Sequence, residues 1–145
     1  MKYRYRVGVM LLLFAIITYI DRVCISVAGP RIQDFLHIGP REWGWVVGAF
    51  AIAYAAFEFP GGWMADRFGP RLVLTRIVLW WSVFTALTGA VSSLPLLLVT
   101  RFAFGAGEAG AFPNATAGIA AWFPASERGR MFGILSMAMQ IDDGR

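Results

Sequence analysis

Asp21, Arg22, Arg101 and Glu108 are ionisable residues set inside long apolar runs. Asp21 and Arg22 follow "VGVMLLLFAIITYI", and the other two lie in "LLLVTRFAFGAGEAGAF". A carboxylate held in apolar surroundings is penalised in its charged form, so it is suited to exchanging a proton near neutral pH. An arginine in the same place offers paired N–H donors to a carboxylate ligand. Glu108 is seven residues beyond Arg101, two helical turns, so both fall on one face. Acid and base lining one cavity point to proton-coupled movement of an organic anion. The bland alternative is a set of static ion pairs locking a helix bundle, but two acids and two arginines exceed what packing needs. Tyr54 could offer a hydroxyl to a substrate, or serve as an aromatic packing residue. Pro113 and Asn114 interrupt a helix about a turn past Glu108, and Asn114 could line the resulting bend.

The elements that must position these groups are transmembrane helices. Hydrophobic residues make up 58% of the 145-residue chain and charged residues only 15%, against roughly 25% charged in ordinary globular domains. A helix needs about 20 residues to cross a bilayer core. Residues 7–28, 43–63, 72–91 and 96–123 meet that length, and a fifth apolar segment begins at Met131. That segment reaches only Gln140 before "IDDGR", so the expected fold is all-α and integral to the membrane, with four spans and the start of a fifth. Asp21 lies about 21 Å along the first helix from Val7, and Arg101 about 8 Å along the fourth from Leu96. Running in opposite directions, the two reach nearly the same height, which makes Asp21 and Arg101 a candidate pair. Glu108 then sits near the midplane. A charge at such depth costs at least about 2.5 kcal/mol and is a functional hypothesis by default.

Gly105, Gly107 and Gly110 have the spacing of a dinucleotide-binding turn. That turn needs a preceding strand and a helix opening at its glycines. Here the glycines lie in mid-span, so they read instead as small residues that admit a neighbouring helix. Lys2, Arg4, Arg6, Arg67, Arg71, Arg76, Arg128 and Arg130 fall on one side of the expected spans, and only Arg31 and Arg41 on the other. The positive-inside rule places the N-terminus in the cytoplasm of a plasma-membrane protein. The basic start imitates a signal peptide, but Asp21 and Arg22 stand where a cleavage region should be small and neutral. Cys24 and His37, each the single residue of its type, cannot build a metal site or a nucleophilic triad. No metal, cofactor, nucleic acid or enzymatic chemistry is expected.

The connection "GGWMADRFGPRLVLTR" resembles the signature loop of the major facilitator superfamily, through Gly62, Asp66, Arg67, Gly69 and Arg71. Pro70 replaces one basic residue of that pattern. Together with "YIDR", "RFAFGAGEAGAFPN" and "WFPASERGR", the chain is similar to the anion:cation symporter branch, which includes bacterial hexuronate, glucarate and galactonate transporters. The resemblance implies that Asp21 and Glu108 are proton-coupling acids. Arg22 and Arg101 would bind or position a sugar-acid carboxylate, with Tyr54 alongside; Asn114, at the helix bend, is added to the site from its position alone. Asp66 and Arg67 would hold a cytoplasmic gate, with Gly62 allowing close helix contact and Gly69 a turn of positive φ. Departures are Glu58, where glutamine is usual, and the neutral "ATAGIAA", where a basic residue is usual. The family fold has twelve helices in two halves with the site between them. This sequence resembles part of the N-terminal half, and transport is expected to require the C-terminal half. Two other readings remain at this point. One is a membrane fragment that is inert or serves only interactions. The other is a small four-helix drug exporter working as a dimer, which the Asp-Arg pair and the signature loop disfavour.

Overall fold

The computed structural model describes residues 2–140. Asp142, Asp143 and Arg145, the charged residues of "IDDGR", lie outside the described residues. The described chain folds as α1 (Lys2–Leu36), α2 (Pro40–Phe68), α3 (Pro70–Gly89), α4 (Leu94–Glu108), α5 (Ala111–Trp122) and α6 (Ala125–Gln140). The protein is all-α and integral to the membrane. Among the described residues three helices, α1, α2 and α3, are long and apolar enough to cross a bilayer.

The helix bounds differ from the expected spans in ways local chemistry explains. α1 runs past residue 28 and through Pro30 to Leu36, absorbing most of the expected polar connection. The helix ends in a left-handed residue, His37 at φ 54°. The Ile38 N–H donates to the Gln33 carbonyl at 3.0 Å and the His37 N–H to the Asp34 carbonyl at 3.4 Å. This is the paired closure of a Schellman motif, made without glycine. Pro40 then opens α2, whose first turn is capped by Glu42 Oε2 accepting the Gly39 N–H at 2.9 Å. Gly69 alone separates α2 from α3, at φ 81°, the turn of positive φ expected of it. Its N–H closes α2 on the Ala65 carbonyl at 3.0 Å, and Pro70 begins α3.

The fourth expected helix, 96–123, is corrected to two helices. Ala109 leaves the helix at ψ 136°, and Gly110 takes φ 87°. The interruption therefore precedes Pro113, which lies in the first turn of α5, where its missing N–H has no intrahelical partner to lose. The fifth segment begins at Ala125, not Met131. The Pro124 carbonyl accepts the N–H groups of Glu127 and Arg128 at 2.9 and 3.2 Å, so "ASERGR" is helical.

The described residues divide into two compact units, one from Gly29–Asn114 and one from the two ends of the chain. In the first, α4 packs chiefly on α2 and also on α3. Val46, Ala53, Val73, Ile77, Leu97 and Phe104 form its core. In the second, Leu11, Phe14, Ala15, Ile119 and Phe123 are buried. A Cβ added to Gly8 would meet the Phe123 ring at 2.9 Å, so α1 lies close on the end of α5. Arg4 Nη2 reaches Glu127 Oε1 at 3.3 Å. Large apolar side chains such as Phe59, 86% exposed, point outward, as lipid requires.

Candidate functional site

The centre of the Gly29–Asn114 unit is the crossing of α2 and α4. A Cβ on Gly105 would stand 2.5 Å from the Phe50 carbonyl oxygen, and one on Gly61 2.7 Å from Gly110 Cα. A Cβ on Gly107 would overlap the Trp80 indole, whose Nε1–H donates to the Ala103 carbonyl at 2.9 Å. Each glycine of the G-x-G-x-x-G spacing thus admits a neighbouring helix, in keeping with the packing role expected of them. The close approach on α2 is made by Gly61. Gly62, expected to make it, is in ordinary contact with Pro113 at 3.8 Å.

This crossing buries the charged pair. Arg101 is 6% exposed and Glu108 2%, both on α4. The Arg101 guanidinium lies 5.0 Å from the Phe50 ring and 5.0 Å from the Phe104 ring, resting on two adjoining aromatic side chains. Phe50 and Phe104 are 5.8 Å apart, and Phe50 is 5.9 Å from Tyr54. Tyr54, half-buried, therefore joins the cluster around the arginine. Phe50 and Phe104 are functional candidates the sequence reading did not single out. Their positions one helical turn from Tyr54 and Arg101 were the available signal.

Asn114 is fully buried. Its Nδ2 donates to the Gly110 carbonyl at 2.6 Å and to the Gly61 carbonyl at 3.2 Å. Two carbonyl acceptors fix which end of the amide carries the N–H groups. Asn114 therefore fastens the start of α5 to α2 at the helix break, and its Oδ1 is buried with no donor among the described residues.

Asp21 is half-buried and Arg22 exposed on α1, in the unit formed by the chain ends. There Thr18 is buried and donates to the Phe14 carbonyl at 2.9 Å. Glu58 is half-buried one turn after Tyr54. Asp66, Arg67 and Arg71 are exposed around the α2–α3 turn, with the Arg67 guanidinium 5.3 Å from Trp63 and 5.8 Å from Phe68.

Residues 11–141 match the model of the Major Facilitator Superfamily. The chain is 50% identical over 127 residues to a Cupriavidus necator protein described as "Probable sulfoacetate transporter SauU", covering 88% of this chain and 29% of that one. It is 38% identical over 132 residues to a Bacillus subtilis protein described as "Probable galactarate/D-glucarate transporter GudP", covering 87% and 29%. Among solved structures it resembles a bacterial homologue of the human lysosomal transporter Spinster, inward-facing and occupied, with TM-score 0.89 and 31% identity over 96% of this chain and 30% of that one. The chain spans about 30% of the length of these relatives.

Proposed function

The chain belongs to the Major Facilitator Superfamily, a family of transporters and not of enzymes, and on that premise we propose that it forms part of a proton-coupled symporter for a small organic anion. The observation that carries this reading is the burial of Arg101 and Glu108 on one face of one helix. An arginine resting on two adjoining aromatic rings keeps its charge and its planar fork of donors, which suits a carboxylate or sulfonate. A carboxyl group two turns deeper can take a proton when the anion binds. Sulfoacetate and the sugar diacids named for the relatives all carry such groups, and they define the substrate class.

The remaining roles follow in the same reading. Asp21 is the second proton-coupling acid, and Arg22 a second anion ligand. Tyr54 positions the substrate beside Arg101, and Asn114 Oδ1 is left to accept a hydrogen bond from a hydroxyl. Gly62, Asp66, Arg67, Gly69 and Arg71 form the gating loop on the cytoplasmic face of the plasma membrane, the side of the N-terminus. The residues form the N-terminal part of the twelve-helix fold, and transport draws on the C-terminal half as well.

The test is uptake into proteoliposomes under an imposed pH gradient. Residues 1–140 are placed ahead of the remaining part of the Cupriavidus necator relative, and labelled sulfoacetate and D-glucarate are offered. Uptake driven by inward-directed protons supports the reading. Uptake indifferent to the gradient rejects proton coupling, and no uptake of either anion by a folded chimera rejects the substrate class. The 145-residue chain by itself is expected to give no uptake.

A further inference from the structure

The outward face of α3 carries a groove that, apart from Arg71 of the gating loop at one end, the transport reading leaves unused. It has a volume of about 980 Å³ and runs from Phe68 at the end of α2, past Arg71 and Arg76, along Leu79 and Trp80 to Phe84. Its floor is fixed. The Trp80 indole is hydrogen-bonded to Ala103 on α4 and stacks on Phe84 at 4.9 Å. Its wall is apolar, and Leu79 is 64% exposed. Arg71 marks one end, at the α2–α3 turn, and Arg76 stands about 7.5 Å further along the helix axis.

Arg76 has an unmet need. Its Nε is shielded from solvent and has no acceptor among the described residues, although it lies on a helix long and apolar enough to span the membrane. A buried N–H without an acceptor is costly, more so on a charged group. The long side chain can run along the groove toward the nearer membrane surface. Turned that way, the guanidinium leaves the protein's shielding and meets lipid phosphate as the abundant acceptor. No acidic side chain lines the groove, so nothing in it favours the ammonium group of a zwitterionic lipid. We propose that this groove binds one anionic phospholipid from the leaflet at the α2–α3 end. The phosphate sits between Arg71 and Arg76, and an acyl chain lies along Leu79, Trp80 and Phe84. Basic pockets beside membrane helices hold anionic headgroups by the same physics.

The full 145-residue chain is placed in nanodiscs of equal phosphatidylglycerol and phosphatidylcholine, and the lipids that stay bound are weighed by native mass spectrometry. One phosphatidylglycerol is expected to be retained, with a preference on the order of tenfold over phosphatidylcholine. Arg76→Gln should bring the preference close to unity, Arg76→Lys should keep part of it, and Arg41→Gln should not change it. Helicity by circular dichroism identifies variants that misfold. The unmodified chain supplies an independent reading: its tryptophan fluorescence should be quenched more by brominated phosphatidylglycerol than by brominated phosphatidylcholine. Equal retention of the two lipids, or a preference that survives in a folded Arg76→Gln chain, overturns the proposal. So does displacement of the lipid by excess inorganic phosphate, which would mark a simple anion site. Crosslinking between copies through Leu79→Cys that phosphatidylglycerol does not suppress would assign the groove to a second chain instead.

Discussion

The packing of Arg101 against Phe50 and Phe104 makes lysine a poor substitute. A lysine keeps the charge but loses the planar stacking and the paired donors. In the chimera, Arg101→Lys is expected to raise KM for the anion by about tenfold or more, corresponding to about 1.4 kcal/mol, and initial rates across a substrate series will show it. Glu108→Gln keeps the shape and removes the titrating proton. It is expected to abolish accumulation under a pH gradient while leaving exchange of labelled for unlabelled anion across the membrane. Loss of both would mean that Glu108 is structural. Asn114 belongs to the same scale. Removing its amide in Asn114→Ala leaves the Gly61 and Gly110 carbonyls without their side-chain donor and opens a small void. The expected loss is about 2–4 kcal/mol, read as a lowered midpoint of thermal unfolding in detergent.

At the scale of elements, the α2–α4 crossing depends on the absence of side chains. A methyl group at Gly61 would meet the backbone of Gly110, and one at Gly105 the backbone of Phe50. Backbone cannot move aside as a flexible side chain can, so Gly61→Ala and Gly105→Ala should force the helices apart. Gly110→Ala adds strain at φ 87°, about 1–2 kcal/mol for a non-glycine residue. Gly44 provides the contrast, because nothing lies within 4 Å of an added Cβ there. Gly44→Ala is expected to be neutral or to stabilise α2 by up to about 1 kcal/mol through helix propensity. Unfolding midpoints of the four variants in one detergent should separate them into a destabilised group of three and an unaffected Gly44→Ala. The break between α4 and α5 is part of the same construction. Gly110 turns the chain, and Asn114, in the first turn that follows, is tied to Gly61 of α2.

At the scale of the whole molecule, the distribution of arginines sets an expected orientation that labelling can check. In a Cys24→Ser background, Ser92→Cys lies in the connection between α3 and α4, and Ser126→Cys lies at the start of α6. An impermeant maleimide should label Ser92→Cys in intact cells and Ser126→Cys only after permeabilisation. The reverse pattern would invert the assignment of the gating loop to the cytoplasm. The Arg4–Glu127 contact, at 3.3 Å with partly exposed partners, lies in the unit formed by the chain ends. Its removal by Glu127→Gln should leave the unfolding midpoint nearly unchanged.

Composition and charge pattern were enough to identify a helical membrane protein, because hydropathy over twenty residues is a local property. The shared face of Arg101 and Glu108 was equally legible, since it follows from helical periodicity, and so was the turn of positive φ at Gly69. The extension of α1 through Pro30 and the split at Ala109–Gly110 were not. One depends on a closure assembled at His37, and the other on a backbone conformation that glycine permits but does not dictate. Least legible were the aromatic contacts of Arg101, the choice of Gly61 over Gly62 at the crossing, and the link from Asn114 to Gly61. These join residues about fifty positions apart, and no local periodicity records which faces of two helices will meet. The tertiary structure decided them, because close packing of backbones selects one register between α2 and α4 and leaves the polar groups of that register to find partners.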